Sequence, residues 1–397
     1  MKILIADQLA TSAIEALKNI GEILLDSSLK DDLLLESLQA FKPEILVVRS
    51  TKVNTEHIEK TPSLSLIIRA GAGVNTIALK TASEKGVFVA NCPGKNAIAV
   101  AELVMGHLIN LDRSLFENIR DFNAGIWNKK KYSKAKGLHG RSLALLGLGS
   151  IGIEVLHRAK IFGIEVRAWS RSLTPEKAKQ LGITYASTPQ EAANGADILS
   201  IHLPANAQTK DLIDHSILSV LNDDAFLINT SRGELVNEED LLQAISEKNI
   251  RVGLDVFKDE PASNAQTVSS IFSENPSIYI SHHIGASTNQ ATESVGWAVV
   301  EIIETWKKNG LVLNCVNLSK QTAATCCLSV RHADKVGILA SVLEHVRADG
   351  LNIQEMDNII FQGGKAACAR IFLVGTPSDT LLTNLQANPD IFACSVS

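Results

Sequence analysis

Membrane-spanning apolar runs, metal-type cysteine spacings and blocks of like charge are all missing from this chain of 397 residues. No apolar stretch approaches the ~20 residues a transmembrane helix requires, which argues against a membrane partner. The opening Met1-Lys2-Ile3-Leu4-Ile5-Ala6 meets Asp7 too soon to form the apolar core of a signal peptide. The six cysteines (92, 315, 326, 327, 368 and 394) make no CxxC and no Cys/His ligand pattern, and two of them are adjacent. Reduced thiols in a cytoplasmic protein without a metal site are the simplest expectation. The 38 basic and 43 acidic residues leave a net charge of −5 with no basic block, so nucleic acid is not an expected partner. There is no repeat of fixed period and no low-complexity segment. What remains, 45% hydrophobic and 20% charged residues, is an ordinary globular composition. Its length suits roughly two to four domains.

Strand and helix patterns alternate from the start. Apolar runs at Lys2–Ala6, Glu22–Asp26, Glu44–Ser50, Leu64–Ala70 and Val87–Asn91 read as strands, with helical stretches between them. Continuous apolar runs separated by helices indicate a parallel sheet covered on both faces. A helical stretch over Ala97–Arg113 leads to a second series at Ser142–Leu146, Ile164–Trp169, Ile198–Leu203, Ala225–Asn229, Arg251–Phe257 and Ile278–Ser281. A helix near Ala291–Lys308 returns the chain to the first sheet. From Thr325 the order becomes strand, helix, two strands about Gly363-Gly364, helix and strand, a βαββαβ module. The expected fold is α/β: two doubly wound Rossmann-like parallel-sheet domains plus a small C-terminal α+β ferredoxin-like domain. Residues 1–96 with 284–318 would form a substrate-binding domain, 97–283 a dinucleotide-binding domain, and 323–397 an appended regulatory or assembly module.

The strand Ser142–Leu146 runs into Gly147-Leu148-Gly149-Ser150-Ile151-Gly152 and then a helical stretch. A GxGxxG carries weight in this context, between the strand and helix of a βαβ-sized unit. Gly147 permits the tight turn, Gly149 lets a pyrophosphate approach the backbone, and Gly152 lets the helix pack on its strand. The helix start then offers free N–H groups and a positive dipole end. One absence here is informative. About twenty residues on, the fingerprint for NAD places an acid to bind the ribose 2′-hydroxyl, whereas this chain reads Trp169-Ser170-Arg171-Ser172. A guanidinium and two hydroxyls suit a 2′-phosphate and hence NADP(H); the other reading is a polar loop that accepts either cofactor.

Three further segments place polar residues at the ends of apolar strands, where open α/β sheets bind ligands. They are Asn229-Thr230-Ser231-Arg232-Gly233, Asp255-Val256-Phe257-Lys258-Asp259-Glu260-Pro261, and Ser281-His282-His283-Ile284-Gly285-Ala286-Ser287-Thr288. Together they supply the guanidinium, carboxylate and imidazole that hydride transfer to a 2-keto acid needs. Arg232 can clamp a substrate carboxylate, His283 can exchange a proton with the reacting oxygen, and Glu260 can raise and orient that histidine. Strand alternation sends His282 and His283 to opposite sides, so at most one of them should face the cleft; His283, beside Ile284-Gly285, is the choice. His107, His139, His157 and His202 have no companion groups and read as structural.

The fingerprint and these three blocks, in this order, resemble the signatures of the D-isomer-specific 2-hydroxyacid dehydrogenases. Within that family they are most similar to the branch acting on 3-phospho-D-glycerate. The resemblance implies NAD(P)-dependent oxidation to 3-phosphonooxypyruvate, the step that opens the phosphorylated route to serine, with NAD(H) as the usual cofactor. It also implies catalytic roles for Arg232, Glu260 and His283. Cofactor contacts fall at Gly147, Gly149, Ser150, Ile151, Gly152, Ser170, Arg171, Thr230, Ser231, Arg232, Asp255, His283, Gly285 and Ala286. Two N-terminal segments, Val48-Arg49-Ser50-Thr51-Lys52-Val53 and Arg69-Ala70-Gly71-Ala72-Gly73-Val74-Asn75, are similar to the substrate loops of that branch. Arg49, Ser50, Lys52, Arg69, Ala72, Gly73, Val74 and Asn75 become substrate-site candidates, the three cations suiting a phosphate. The tail resembles an ACT domain, a module that binds small amino acids between paired copies. His332, Asp334 and Asn352 fall at its effector positions, with Asp334 in place of an amide and Val336 in place of a proline. A homodimer or homotetramer is implied. Two alternatives stand beside this reading: an NADPH-dependent glyoxylate or hydroxypyruvate reductase, and a non-catalytic dinucleotide-sensing corepressor.

Overall fold

The computed structural model describes residues 1–261, 270–273, 275–319 and 321–397. Within the expected dinucleotide-binding domain, 262–269 and 274 therefore lie outside the described residues. The chain forms two compact units, Met1–Asn317 and Leu318–Ser397.

The first unit holds two parallel sheets. Strands β1 (Lys2–Ile5), β2 (Glu22–Leu25), β3 (Ile45–Val48), β4 (Leu66–Arg69) and β5 (Phe88–Asn91) pair in the order β2-β1-β3-β4-β5. Their alternate residues feed two cores, as a sheet buried on both faces demands. Ile3, Ile5, Val47 and Ile68 pack with Leu17 and with Val295, Val299 and Ile303 of the helix Asn289–Asn309. Leu4, Leu46, Val48 and Ile67 pack on the other face with Leu34 and Leu38.

The second sheet comprises β6 (Ser142–Leu146), β7 (Glu165–Trp169), β8 (Thr184–Tyr185), β9 (Ile198–Ile201), β10 (Phe226–Asn229), β11 (Arg251–Leu254) and β12 (Ile278–Ile280), in the order β12-β11-β10-β9-β6-β7-β8. The strand order reverses between β6 and β9, which opens a crevice at their carboxyl ends. One face is covered by the helices Ala97–Arg113 and Ser150–Ile161, whose Val104, Leu108, Val155 and Ala159 pack on Leu143, Leu145 and Ile228. The helices Ala97–Arg113 and Asn289–Asn309 are thus exchanged: one follows the strands of the first sheet and packs on the second, and the other follows the strands of the second and packs on the first.

Most apolar runs are longer than the strands they form. Ala6, Ser50, Ala70, His202 and Val256 lie past the strand ends, because the carboxyl ends must turn out of the sheet toward the next helix. The same effect removes one expectation. β12 ends at Ile280, so His282 and His283 lie in a turn and strand alternation does not separate them. A different constraint does: His283 takes φ +53°, in the left-handed region. The helix Leu115–Asn123 was passed over although Leu115, Phe116, Ile119 and Phe122 recur at helical spacing; the four-residue helix Lys129–Tyr132 and the two-residue β8 are too short to show a pattern.

In the second unit, β13 (Cys326–Ala333), β14 (Asn352–Ile360), β15 (Ala366–Val374) and β16 (Ile391–Val396) form an antiparallel sheet in the order β14-β15-β13-β16. The helices Ile338–Ala348 and Asp379–Gln386 set Val342, Val346, Leu381 and Leu385 against Leu328, Val330, Ile371 and Leu373. This is the ferredoxin-like topology the pattern suggested. Among the described residues no helix is long and apolar enough to cross a membrane.

Candidate active site

Gly147 ends β6 at φ +98°, and a Cβ there would overlap the His202 carbonyl beyond β9. A Cβ on Gly152 would overlap the Gly147 carbonyl, so this glycine sets how closely the helix approaches the turn. Gly149 differs from both: nothing lies within 4 Å of its missing side chain. Two glycines of the motif are therefore needed by the protein itself, and the third leaves open space for something else. The helix that follows, Ser150–Ile161, starts without a side-chain cap, which leaves its first N–H groups free for an anion. Gly94 brings the loop after β5 against Ser150, a Cβ there falling 3.1 Å from the Ser150 hydroxyl.

Beside the motif lies a cavity of about 270 Å3, lined by Gly147, Ser170, Arg171, Ser172, His202 and Thr209 among others. Arg171 and Ser172 are exposed there, and Ser170 is half-buried. Burial pushes the His202 imidazole down to about 3, so the ring is neutral. Its Nε2 sits 2.8 Å from the Ser200 hydroxyl, and its buried Nδ1 has no partner among the described residues. The buried Thr230 hydroxyl also has no partner among them. Unsatisfied buried polar atoms call for an explanation, and a bound polar ligand is one.

The histidine and carboxylate meet as expected. His283 Nδ1 lies 2.6 Å from Glu260 Oε2, and Glu260 Oε1 accepts the Phe257 N–H at 3.1 Å. The hydrogen bond to Glu260 raises the imidazole above its ordinary range; burial opposes this, and the Glu260 and Asp255 charges add to it. His282 is exposed. Asp255 lies beneath the turn, accepting the Ile284 N–H (2.9 Å), the Gly285 N–H (2.7 Å) and the Ser281 hydroxyl (2.6 Å). Ser281 is held in turn by the ring of His107, 3.3 Å away. His107, read from sequence as structural, supports the turn in this way; the part of Ser281 was passed over, its only signal being its position before the histidine pair.

Arg232 leaves β10 through a turn fixed by Asn229, whose side chain donates to the Arg232 carbonyl at 2.8 Å and accepts the Ser231 N–H at 3.0 Å. A Cβ on Gly233 would overlap the Phe257 backbone, so the turn tolerates nothing larger. The Ser231 hydroxyl donates to the Ile201 carbonyl. The Arg232 guanidinium reaches across to the first sheet, its Nη2 falling 3.3 Å from where a Cβ on Gly73 would stand. There it meets two more cations. Burial, then the charges of Arg232 and Arg49, pull the Arg69 guanidinium below its ordinary value. Arg69 folds over Gly71, with its Nε buried and unpartnered among the described residues. Beneath this cluster, burial pushes the Cys92 thiol up to about 11, leaving it un-ionised and unsuited to act as a nucleophile.

Other candidates fall differently. Lys52 is exposed and makes no ion pair among the described residues. Ser50 spends both its N–H and its hydroxyl on Asp7, at 3.0 and 2.7 Å. Ala72 gives its carbonyl to Asn91 (2.6 Å), and Asn75 is exposed beside Gly73. In the second unit His332 is buried, its ring bound to the Ala333 carbonyl and Asn358 Oδ1. It faces Ala367, while Asn352 faces Val374 at the far end of β15, so one copy does not bring His332 and Asn352 together.

Residues 105–285 match the family model described as D-isomer specific 2-hydroxyacid dehydrogenase, NAD binding domain. A hydroxypyruvate reductase from Thermotoga maritima is 35% identical over 300 residues, 75% of this chain and 95% of that one. The chain belongs to the D-isomer specific 2-hydroxyacid dehydrogenase family. A D-3-phosphoglycerate dehydrogenase from Methanocaldococcus jannaschii is 34% identical over 325 residues, 80% of this chain; the match spans 60% of the length of that relative. Among solved structures, an NADPH-dependent glyoxylate/hydroxypyruvate reductase from Sinorhizobium meliloti superposes with a TM-score of 0.67 at 25% identity, covering 79% of this chain and 97% of that one. The open cradle at Gly149, the uncapped helix and the orphan Thr230 hydroxyl fit the dinucleotide of this family. Replacing Arg171 by Ala tests which form of it the cavity prefers. Fluorescence titration should show NADPH weakened more than NADH, by about tenfold if one charge-assisted contact to a 2′-phosphate is lost. Equal weakening of both would make Ser170-Arg171-Ser172 a polar loop without a role in the choice.

Proposed function

We propose that this chain catalyses the NAD(P)-dependent oxidation of 3-phospho-D-glycerate to 3-phosphonooxypyruvate. The observation that carries the reading is the juxtaposition of the Glu260–His283 pair with three guanidiniums, of Arg232, Arg69 and Arg49. A plain 2-hydroxy acid has one carboxylate for these cations to bind. A phosphorylated one adds a dianion, which suits the remaining pair. The curated relatives named D-3-phosphoglycerate dehydrogenase support the same substrate.

The chemistry divides among named groups. Bound nicotinamide supplies the hydride acceptor. Arg232 holds the substrate carboxylate and fixes the carbon that loses hydride. His283 takes the hydroxyl proton as that carbon becomes a ketone, and Glu260 stabilises the imidazolium that results. Arg49 and Arg69 hold the phosphate end. In this reading residues 97–283 carry the cofactor, 1–96 with 284–318 carry the substrate, and 323–397 serve regulation or assembly in a homo-oligomer. A corepressor role would leave the Glu260–His283 pair without a use.

A second reading is favoured by Arg171 and by the 35% identical hydroxypyruvate reductase, 95% of whose length is matched. It is the NADPH-dependent reduction of glyoxylate or hydroxypyruvate by the same groups run in reverse. Steady-state rates with both cofactors on phosphoglycerate, hydroxypyruvate and glyoxylate separate the two. Turnover of glyoxylate with none of phosphoglycerate overturns the first.

Three variants test the assignment of roles. His283→Ala should lower turnover by about a hundred- to ten-thousand-fold with cofactor affinity retained. His282→Ala is the control that stays active, and a wild-type rate in the His283 variant would discard the assignment. Glu260→Gln should stay active with a displaced pH profile. Glu260 raises the His283 pKa, so its loss lowers it. The free base then forms at lower pH, oxidation gains activity earlier on the alkaline climb, and keto-acid reduction fails at lower pH than in wild type. Coincident profiles would show that Glu260 does not tune His283. Arg69→Ala should raise KM for phosphoglycerate by about tenfold or more, the value of a lost charge-assisted bond, and far less for hydroxypyruvate. Equal losses on both substrates would make Arg69 a structural cation.

A further inference from the structure

The switch points of the two sheets are filled in opposite ways. In the second sheet the crevice between β6 and β9 is open. In the first sheet the reversal lies between β1 and β3, and there the crevice holds a carboxylate of the chain itself. Asp7 follows β1, and its Oδ2 accepts the N–H groups of Arg49, Ser50 and Thr51 at 2.6, 3.0 and 3.0 Å. Its Oδ1 accepts the Ser50 hydroxyl at 2.7 Å, and the Thr51 hydroxyl closes the turn on the Ala6 carbonyl at 3.2 Å. Three successive backbone N–H groups converging on one anion form a nest, the kind of concavity that elsewhere takes a phosphate. Burial pushes the Asp7 carboxyl up, and its donors outweigh that effect, so it lies below the ordinary range and is ionised near neutral pH. Its charge also reaches Arg69, where it offsets the repulsion from Arg49 and Arg232.

The Arg49 backbone is thereby tied down, while its side chain makes no hydrogen bond among the described residues. We infer that Asp7 is a positioning residue for the substrate: it occupies the nest and locks the 49–51 loop, so that Arg49 and Arg69 stand ready for the remote anionic group. The inference rests on the reading of Arg49 and Arg69 as substrate-binding cations. It assigns Asp7 no contact with substrate or cofactor.

The test compares wild type, Asp7→Asn and Asp7→Ala. The asparagine keeps one acceptor oxygen for the nest, and the alanine keeps none. With Asp7→Ala, KM for phosphoglycerate should rise by about tenfold, as expected for a lost charged hydrogen-bond anchor, with kcat within about threefold and NADH affinity unchanged. Asp7→Asn should fall between the two, and decides the matter alone if the alanine variant does not fold. Amide hydrogen exchange at residues 49–51 should accelerate in the same order as KM rises. Three outcomes overturn the inference: KM unchanged in the variants, exchange unchanged, or kcat and NADH affinity lost along with KM as in general destabilisation. Arg69→Ala, run in parallel, separates this from failure of the phosphoglycerate reading. If wild type turns over only hydroxypyruvate, which carries no remote anionic group, the phosphoglycerate reading fails by itself, and exchange at residues 49–51 that does not accelerate in the Asp7 variants still overturns the role given to Asp7 in locking that loop.

Discussion

Asp255 ends β11 almost wholly buried, and both its carboxylate oxygens are engaged by the turn that carries His283. A buried carboxylate is costly unless its lone pairs are met, and here three donors from Ser281, Ile284 and Gly285 meet them. Satisfying Asp255 and bending the 281–285 segment are therefore one event. The bend drives His283 into the left-handed region, which few non-glycine residues occupy, and turns its ring toward Glu260. Gly285 belongs to the same constraint, since a Cβ there would stand 2.9 Å from Asp255 Oδ2. His107 extends it to the helix Ala97–Arg113. The geometry of the acid–base pair is thus inherited from the floor of the site.

The opposite wall is organised by repulsion. The guanidiniums of Arg232 and Arg49 both repel that of Arg69, and Asp7 offsets part of this. Such a wall holds its positive charge in advance, with the counter-charge supplied only in part by the protein. Attraction and preorganisation come from the same residues.

Much of this was legible in the sequence, for identifiable reasons. A parallel sheet buried on both faces writes itself as apolar runs, and the strand-end motifs mark its carboxyl edge, so Arg232, Glu260 and His283 could be named from spacing. The ferredoxin-like tail was legible from its period and its turn glycines. The supporting contacts were not. Asp7, Ser281 and His107 act through partners 42, 26 and 174 residues away, and no local pattern records such a pairing. Alternation along a strand was the argument for preferring His283 to His282; in the structure both lie past the end of β12, and a turn tied to Asp255 is what sets His283 against Glu260. His332 and Asn352 were grouped by motif, and only the strand register shows them at opposite ends of β15.

The helix Asn289–Asn309 seals one face of a sheet whose last strand ends at Asn91. On a ribosome, Ile3, Ile5, Val47 and Ile68 are made early, and Val295, Val299 and Ile303 arrive roughly 200 residues after Asn91 completes the sheet. At ordinary elongation rates that delay is on the order of ten to forty seconds. Through that interval the first sheet has an uncovered apolar face while the whole of the second sheet is being synthesised beside it. The nascent chain therefore carries an uncovered hydrophobic face before it has a finished cleft, and the second sheet has the opportunity to fold first, although it is encoded second.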